Sequence, residues 1–410
     1  MRASFICALL VASIGGLAFA AGPAIPDEFK DPDTGARMLH LSRTANDAST
    51  VIYFTQPCIT PDSRYVIVRY QDDPSGHTAG FLYRFDLQTQ EFVKLTDRVT
   101  RFQVLDPGSG NIYYSSDKEN AIYVTNIMTK ETHKFADMPE GLLVYAGLTV
   151  NRDQTQVVGV AALHSEQDKL PALTAAPNKN NNLADTFNRH ETNILFSFDI
   201  KTGKYRELQK INTWLGHVQF SAADAGLLMY CHEGPWDKVD RMWTLNTATG
   251  GDGKLVYKPA AGEIVGHEFW STDGKAVWFD DEFRDGSGKR FLASKNVETG
   301  ELIKLPQSPE MYSLHYTPSP DGKFFVADGT ARKADPASQA MYILTPTIDK
   351  TSPEKSTLAA VKLCNMAKND YGIAEPNPHI TLDQHWVVFT ATLHGTPQAY
   401  AVEMPKAYWR

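Results

Sequence analysis

Apolar and polar residues alternate in short runs along almost the whole chain, and turn residues cut those runs at regular places. Alternation is the strand period, because successive side chains of an extended chain face opposite ways. Helical periodicity is hard to find after the first twenty residues. One recurring turn is seen in Thr60-Pro61-Asp62-Ser63, Ser271-Thr272-Asp273-Gly274-Lys275 and Ser319-Pro320-Asp321-Gly322-Lys323. Asp and Gly there tolerate the positive φ that a tight hairpin needs. A second signature follows in most units: an apolar strand, then Asp or Asn with a Thr-Gly-type turn, as in Phe198-Asp199-Ile200-Lys201-Thr202-Gly203 and Asn296-Val297-Glu298-Thr299-Gly300.

Counted by the first strand of each unit, the repeats begin near Cys58, Phe102, Leu148, Val218, Glu268, Tyr316 and Ile380. The shorter spacings fall near about 45 residues, the length of a four-stranded propeller blade. The stretch from about 163 to 191 carries Pro171, Pro177 and an Asn/Lys tract and reads as an insertion loop. The last unit holds only three strands. The turn and strand Asp33–Leu41 have no unit before them, so they are expected to complete the last blade and close a ring, which hides the sheet edges. The pattern predicts an all-β, seven-bladed β-propeller forming a single domain over residues 21–410. Six or eight blades are the alternatives.

The first residues are different. Met1-Arg2, the apolar run Phe5–Leu17 and Ala18-Phe19-Ala20 form a signal-peptide pattern, with cleavage expected after Ala20. The run is short for a membrane span, and no later segment is apolar enough for one. An exported protein, periplasmic or secreted, is expected. Loss of Arg2 moves the formal charge from −8 to −9. A mildly acidic exported chain is a poor nucleic-acid binder. Cys58, Cys231 and Cys364 remain and read as buried thiols rather than a disulfide framework.

Chemistry concentrates in the second half. Unit four opens with Trp214-Leu215-Gly216-His217, and its second strand runs into Cys231-His232-Glu233-Gly234-Pro235, followed by Arg241-Met242-Trp243. Unit five opens with His267-Glu268-Phe269-Trp270, unit six with His315-Tyr316, unit seven with Glu375-Pro376-Asn377-Pro378-His379. A lone strand histidine is ordinarily a hydrogen-bonded structural residue. Three in common register are different, because equivalent positions of a radial array face one axis. His267, His315 and His379 are therefore expected to converge. Glu375, Asn377 and His379 alternate and would share a face; with His315 they could hold a divalent ion, or line a polar channel without one. Arg241 could fork onto a substrate carboxylate or pair with Asp237 or Asp240. Asp273 and Asp321 read as turn residues, Trp243 and Trp270 as packing. His40, His133, His164, His385 and His394 lack the register; His77 and His190 fall on loops.

In combination these middle motifs, with Asp33-Thr34-Gly35-Ala36 and Tyr53-Phe54 more weakly, resemble the oligogalacturonate lyase family. That resemblance implies a seven-bladed propeller that cleaves short pectin fragments by β-elimination with a bound manganese-type ion. By position it implies His267 as general base, Arg241 as the substrate-facing arginine, and His315 and His379 as metal ligands. His217 and His232 would shape the subsite for an acidic oligosaccharide. Three places depart from the family. Asn377 stands where it has a histidine, Ala374 or Glu375 where it has a glutamine ligand, and Ser49-Thr50 where it has a His-Arg pair.

The implied chemistry suits the residues. Removing the C5 proton of a 4-linked uronate builds charge beside an anionic carboxylate, which a cation offsets, and a neutral histidine takes the proton. No residue is assigned to protonate the leaving oxygen; solvent would serve. The alternative is a non-catalytic TolB-like exported propeller that binds a protein or glycan. A serine hydrolase lacks its Gly-x-Ser-x-Gly element. A glycosidase would have to recruit Asp280, Asp281 and Glu282 without a second carboxylate in register.

Overall fold

The computed structural model describes residues 25–42, 48–71, 80–116, 119–163, 179–329 and 339–410. The leader Met1–Ala20, His77 and His164 lie outside them. Strands dominate, and they form seven sheets in sequence order around a ring. Six are four-stranded antiparallel meanders spanning residues 48–94, 100–137, 142–211, 215–255, 263–306 and 316–365. The seventh combines His379–Ile380, Trp386–Ala391 and Gln398–Glu403 with Arg37–His40 from the other end of the chain. Met38 pairs with Val402 and His40 with Tyr400, so the ring closes as the sequence predicts. Glu28–Lys30 adds a fifth strand outside it, which the sequence reading did not foresee.

Local chemistry explains the repeats. Asp86, Asn126 and Asn296 each turn the chain by accepting backbone N–H groups two and three residues on. Asp273 and Asp321 each accept the backbone N–H two residues on in the inner turns, as expected of turn residues. The blades pack face to face through apolar side chains. Val104, Tyr113 and Ile122 meet Leu148, Ala161 and Phe196 between blades two and three. Cys58, Cys231 and Cys364 are buried and unpaired. The insertion differs from a pure loop, since Lys179–Asn188 is helical.

One repeated device positions the site. Thr60, Asn151, Ser221, Ser271, Ser319 and Thr381 each close the inner turn of their blade by a backbone bond to a residue five or six further on. Four residues before them stand Gln56, Gly147, His217, His267, His315 and Asn377. Gly147, His217, His267 and Asn377 have φ of 54°, 51°, 47° and 48°, and Phe102 in blade two has 51°. In blades two to five this residue sits in a break of strand register, a β-bulge. A bulge re-aims its side chain out of the alternating pattern. Non-glycine residues accept left-handed backbone only where the surroundings impose it, and such strain gathers at functional sites.

Candidate active site

The bulge register corrects one expectation. His217, His267 and His315 occupy the same place in blades four, five and six, and Asn377 occupies it in blade seven. His379 lies two residues further along, inside the strand, paired with Val388. His217 thus takes the register position beside His267 and His315 that the sequence reading gave to His379. The rings of His267 and His315 meet at 4.7 Å, edge to face.

His267 is held from behind. Its Nδ1 lies 3.1 Å from Oδ1 of Asp280, a buried residue on the neighbouring strand of blade five. Its ring stands edge-on to Trp236. Its Nε2 has no partner among the described residues, so that nitrogen is the one available to a ligand.

Arg241 is committed elsewhere. It is 2% exposed. Its Nε donates to Glu268 at 2.9 Å, and its Nη1 and Nη2 reach Glu233 at 3.0 and 3.4 Å. Its partners are thus Glu233 and Glu268 rather than Asp237 or Asp240, and they take Nε–H and one N–H of each terminal nitrogen. His217 completes the cluster, with Nδ1 2.8 Å from Glu268 and Nε2 3.0 Å from Glu233. Burial opposes a proton on His217, but Cys231, Tyr53, Glu233 and Glu268 outweigh it and raise its pKa well above the ordinary value. Burial likewise opposes charge on Glu268, and Arg241 and His217 overcome it. Two anions and two cations therefore balance beside the channel. His232 stands apart: it stacks on Trp243 at 4.7 Å, and burial pushes it down to about 4.

Two of the expected metal ligands each have a nitrogen to offer. His315 is buried, with Nδ1 2.7 Å from Asp328 and Nε2 without a partner. His379 donates Nε2–H to the Ile52 carbonyl at 2.8 Å. Burial pushes this ring down to about 4, so it is neutral and Nδ1 carries the lone pair. Both imidazoles thus have one nitrogen fixed on an oxygen and the other bare, the arrangement of a metal-binding histidine. Glu375 acts electrostatically on His315. Asn377 is used structurally, accepting from the Phe54 N–H at 3.2 Å and donating to the Glu375 carbonyl. Among the described residues, the three His, Cys, Asp or Glu side chains whose ligand atoms lie within 4.8 Å of one another are His217, Cys231 and Glu233. That trio suits an ion poorly. Its imidazole is already bonded to two carboxylates, Arg241 neutralises Glu233, and burial holds the Cys231 thiol up at about 12.

Comparison with known proteins decides the family. The oligogalacturonate lyase family model matches residues 25–408. The chain belongs to the oligogalacturonate lyase family. Among its relatives is the oligogalacturonate lyase of Dickeya dadantii, 27% identical over 369 residues, covering 87% of this chain and 91% of that protein. The oligogalacturonide lyase of Pectobacterium atrosepticum is 26% identical over 370 residues, covering 87% and 90%. The solved oligogalacturonate lyase of Vibrio parahaemolyticus superposes with a TM-score of 0.77 at 26% identity, covering 95% of this chain and all of that one. A manganese complex of an oligogalacturonate lyase gives the same score at 25% identity.

For a lyase of this family, sequence reasoning missed Glu233, Glu268, Asp280, Asp328 and Tyr53. Glu233 and Glu268 stand inside the quoted motifs, each beside a histidine that drew the attention. Asp328 had no signal and Asp280 was weighed only as a glycosidase acid, since each meets its histidine only by strand pairing. The insertion also reaches this region. A Cβ at Gly234, whose φ is +151°, would meet the Phe187 ring of the Lys179–Asn188 helix at 2.5 Å, which explains a glycine in the Cys231–Pro235 segment.

Proposed function

We propose that the protein cleaves short uronic-acid oligosaccharides, oligogalacturonides first, by β-elimination to 4,5-unsaturated uronates. The observation that carries this reading is His267, whose Nδ1 is on buried Asp280 while Nε2 is uncommitted beside His315. Asp280 fixes the tautomer, so Nε2 has the lone pair and takes the C5 proton. General bases assist such steps by about 10²–10⁴-fold. His217 and Arg241 stand beside His267 in blade order with their charge balanced by Glu233 and Glu268, which hold both in place. Arg241 is in this reading a positioning residue.

A divalent ion, manganese by analogy with the solved complex, would be held by His315 and His379, with Glu375 as the nearby carboxylate and Asn377 bordering it. When bound it would offset the charge that develops on the substrate carboxylate. The unpartnered Nε2 of His315 supports this placement. The leader-like Met1–Ala20 supports export to the periplasm or beyond, and N-terminal sequencing of the mature protein should read Ala21 first.

The test is ultraviolet absorbance of the unsaturated product from purified protein and a panel of oligouronides, with chelator and with added manganese. Metal-dependent absorbance on digalacturonate is the expected result. Absorbance on another uronide would keep the reaction and change the substrate. Silence on the whole panel from folded, metal-supplied protein would overturn the lyase reading in favour of a binding propeller.

A further inference from the structure

We infer that Tyr53 is the proton donor to the leaving oxygen; the inference rests on the lyase reading above. Stereochemistry sets the requirement. In the chair form of a 4-linked galacturonide, the C5–H bond and the C4–O bond point to opposite faces of the ring. One side chain cannot take the proton from one face and protonate oxygen on the other. A base at His267 therefore needs a donor reaching the sugar from elsewhere in the channel.

Tyr53 meets that requirement by position. His267 comes from blade five, whereas Tyr53 lies between the first two strands of blade one, three blades further round the ring. Its ring is 5.1 Å from His217 and 5.7 Å from His315, the two residues that flank His267 around the axis. It is half-buried, and its hydroxyl has no hydrogen-bond partner among the described residues. The charged groups acting on that hydroxyl are His217, Glu268, Glu375 and Arg241.

The other donors around the channel are occupied. Both nitrogens of His217 lie on carboxylates. Arg241 is bonded to Glu233 and Glu268, and a guanidinium keeps its proton. His379 gives its Nε2–H to Ile52, and His232 is stacked under Trp243. A phenol, by contrast, stays protonated through neutral pH, and burial pushes this one further up, so its proton is held until a developing alkoxide takes it.

The step balances. His267 Nε2 takes the C5 proton, and that electron pair forms the C4=C5 double bond. The C4–O bond breaks, and its oxygen, now the anomeric oxygen of the departing sugar, takes the Tyr53 proton. The phenolate left behind is favoured by His217 and Arg241 and opposed by Glu268 and Glu375, and it regains a proton from water as His267 releases one.

The test is Tyr53→Phe, which removes only a hydroxyl without a partner, checked for an unchanged melting temperature. On digalacturonate kcat should fall by about 10²–10⁴-fold with KM within about threefold of wild type. On a galacturonide carrying fluoride at C4, a leaving group that needs no proton, the same variant should stay within about fivefold of wild type. Equal losses on both substrates, or a loss carried by KM, would make Tyr53 a packing or binding residue and overturn the inference. Retention of full activity on digalacturonate would overturn it as well. Either result leaves the lyase reading standing, because wild-type turnover is its own test. If the wild type turns over no uronide, both fall together.

Discussion

His267 and Asp280 form a buried pair on adjacent strands of blade five, Nδ1 to Oδ1 at 3.1 Å. The carboxylate accepts Nδ1–H and leaves Nε2 as the basic nitrogen. His267→Ala should lower kcat by about 10²–10⁴-fold with the fold intact. Asp280→Asn keeps the shape but can present its amide N–H to Nδ1 and favour the wrong tautomer. It should lower kcat by about 10-fold or more with KM little changed. Steady-state kinetics on digalacturonate read both; a fully active His267→Ala would remove the assignment of the base.

Arg241 balances two buried carboxylates. Arg241→Met should lower stability by about 3–5 kcal/mol, because Glu233 and Glu268 would lose their shared partner. Denaturant unfolding measures this. Were Arg241 instead a direct contact to the substrate carboxylate, KM would rise and the unfolding midpoint would stay put.

The ion is expected at His315 and His379, away from the His217, Cys231 and Glu233 trio. Titration calorimetry with manganese should show binding lost in His315→Ala and weakened by about 10–100-fold in Asp328→Asn, which frees the ring from its orienting carboxylate. His217→Ala should bind the ion as wild type does. The opposite pattern would move the ion to the trio.

Blade five also predicts a pH dependence of stability. Asp281 and Glu263 are both buried and share Lys304, at 2.7 and 2.6 Å. Burial raises the Asp281 carboxyl from 3.8 to about 7, against the pull of Lys304. Between these values the folded chain holds a proton that the unfolded chain has released, so this group's contribution falls as pH rises from about 4 to about 7 and is level above that. Asp281→Asn cannot ionise and should flatten that part of the profile. Urea midpoints of both proteins at pH 5 and pH 8 give the comparison; an unchanged difference would exclude the effect.

Much of the architecture was legible along the chain. Asn296, Thr299 and Gly300, or Ser271, Asp273 and Gly274, make their turns through hydrogen bonds and backbone freedom within five residues, so the blades could be counted without a structure. The three strands after Ile380 and the orphan strand before Leu41 announced ring closure by simple arithmetic. The entry histidines of blades four to six were visible for the same reason, as recurrences at a fixed distance from a local turn. What the linear pattern could not contain was everything decided between blades. Glu268 belongs by sequence to blade five, yet it neutralises Arg241 and His217 of blade four. Asp280 and Asp328 reach their histidines only through strand pairing. Asn377, rather than His379, holds the register position of the entry histidines, and it does so with a left-handed backbone that no alternation of residue types announces. Tyr53 comes into play only when the ring closes and carries blade one across to the histidines. Long-range pairing and backbone strain follow from the packing of whole sheets, and so the site, unlike the propeller, was decided in three dimensions.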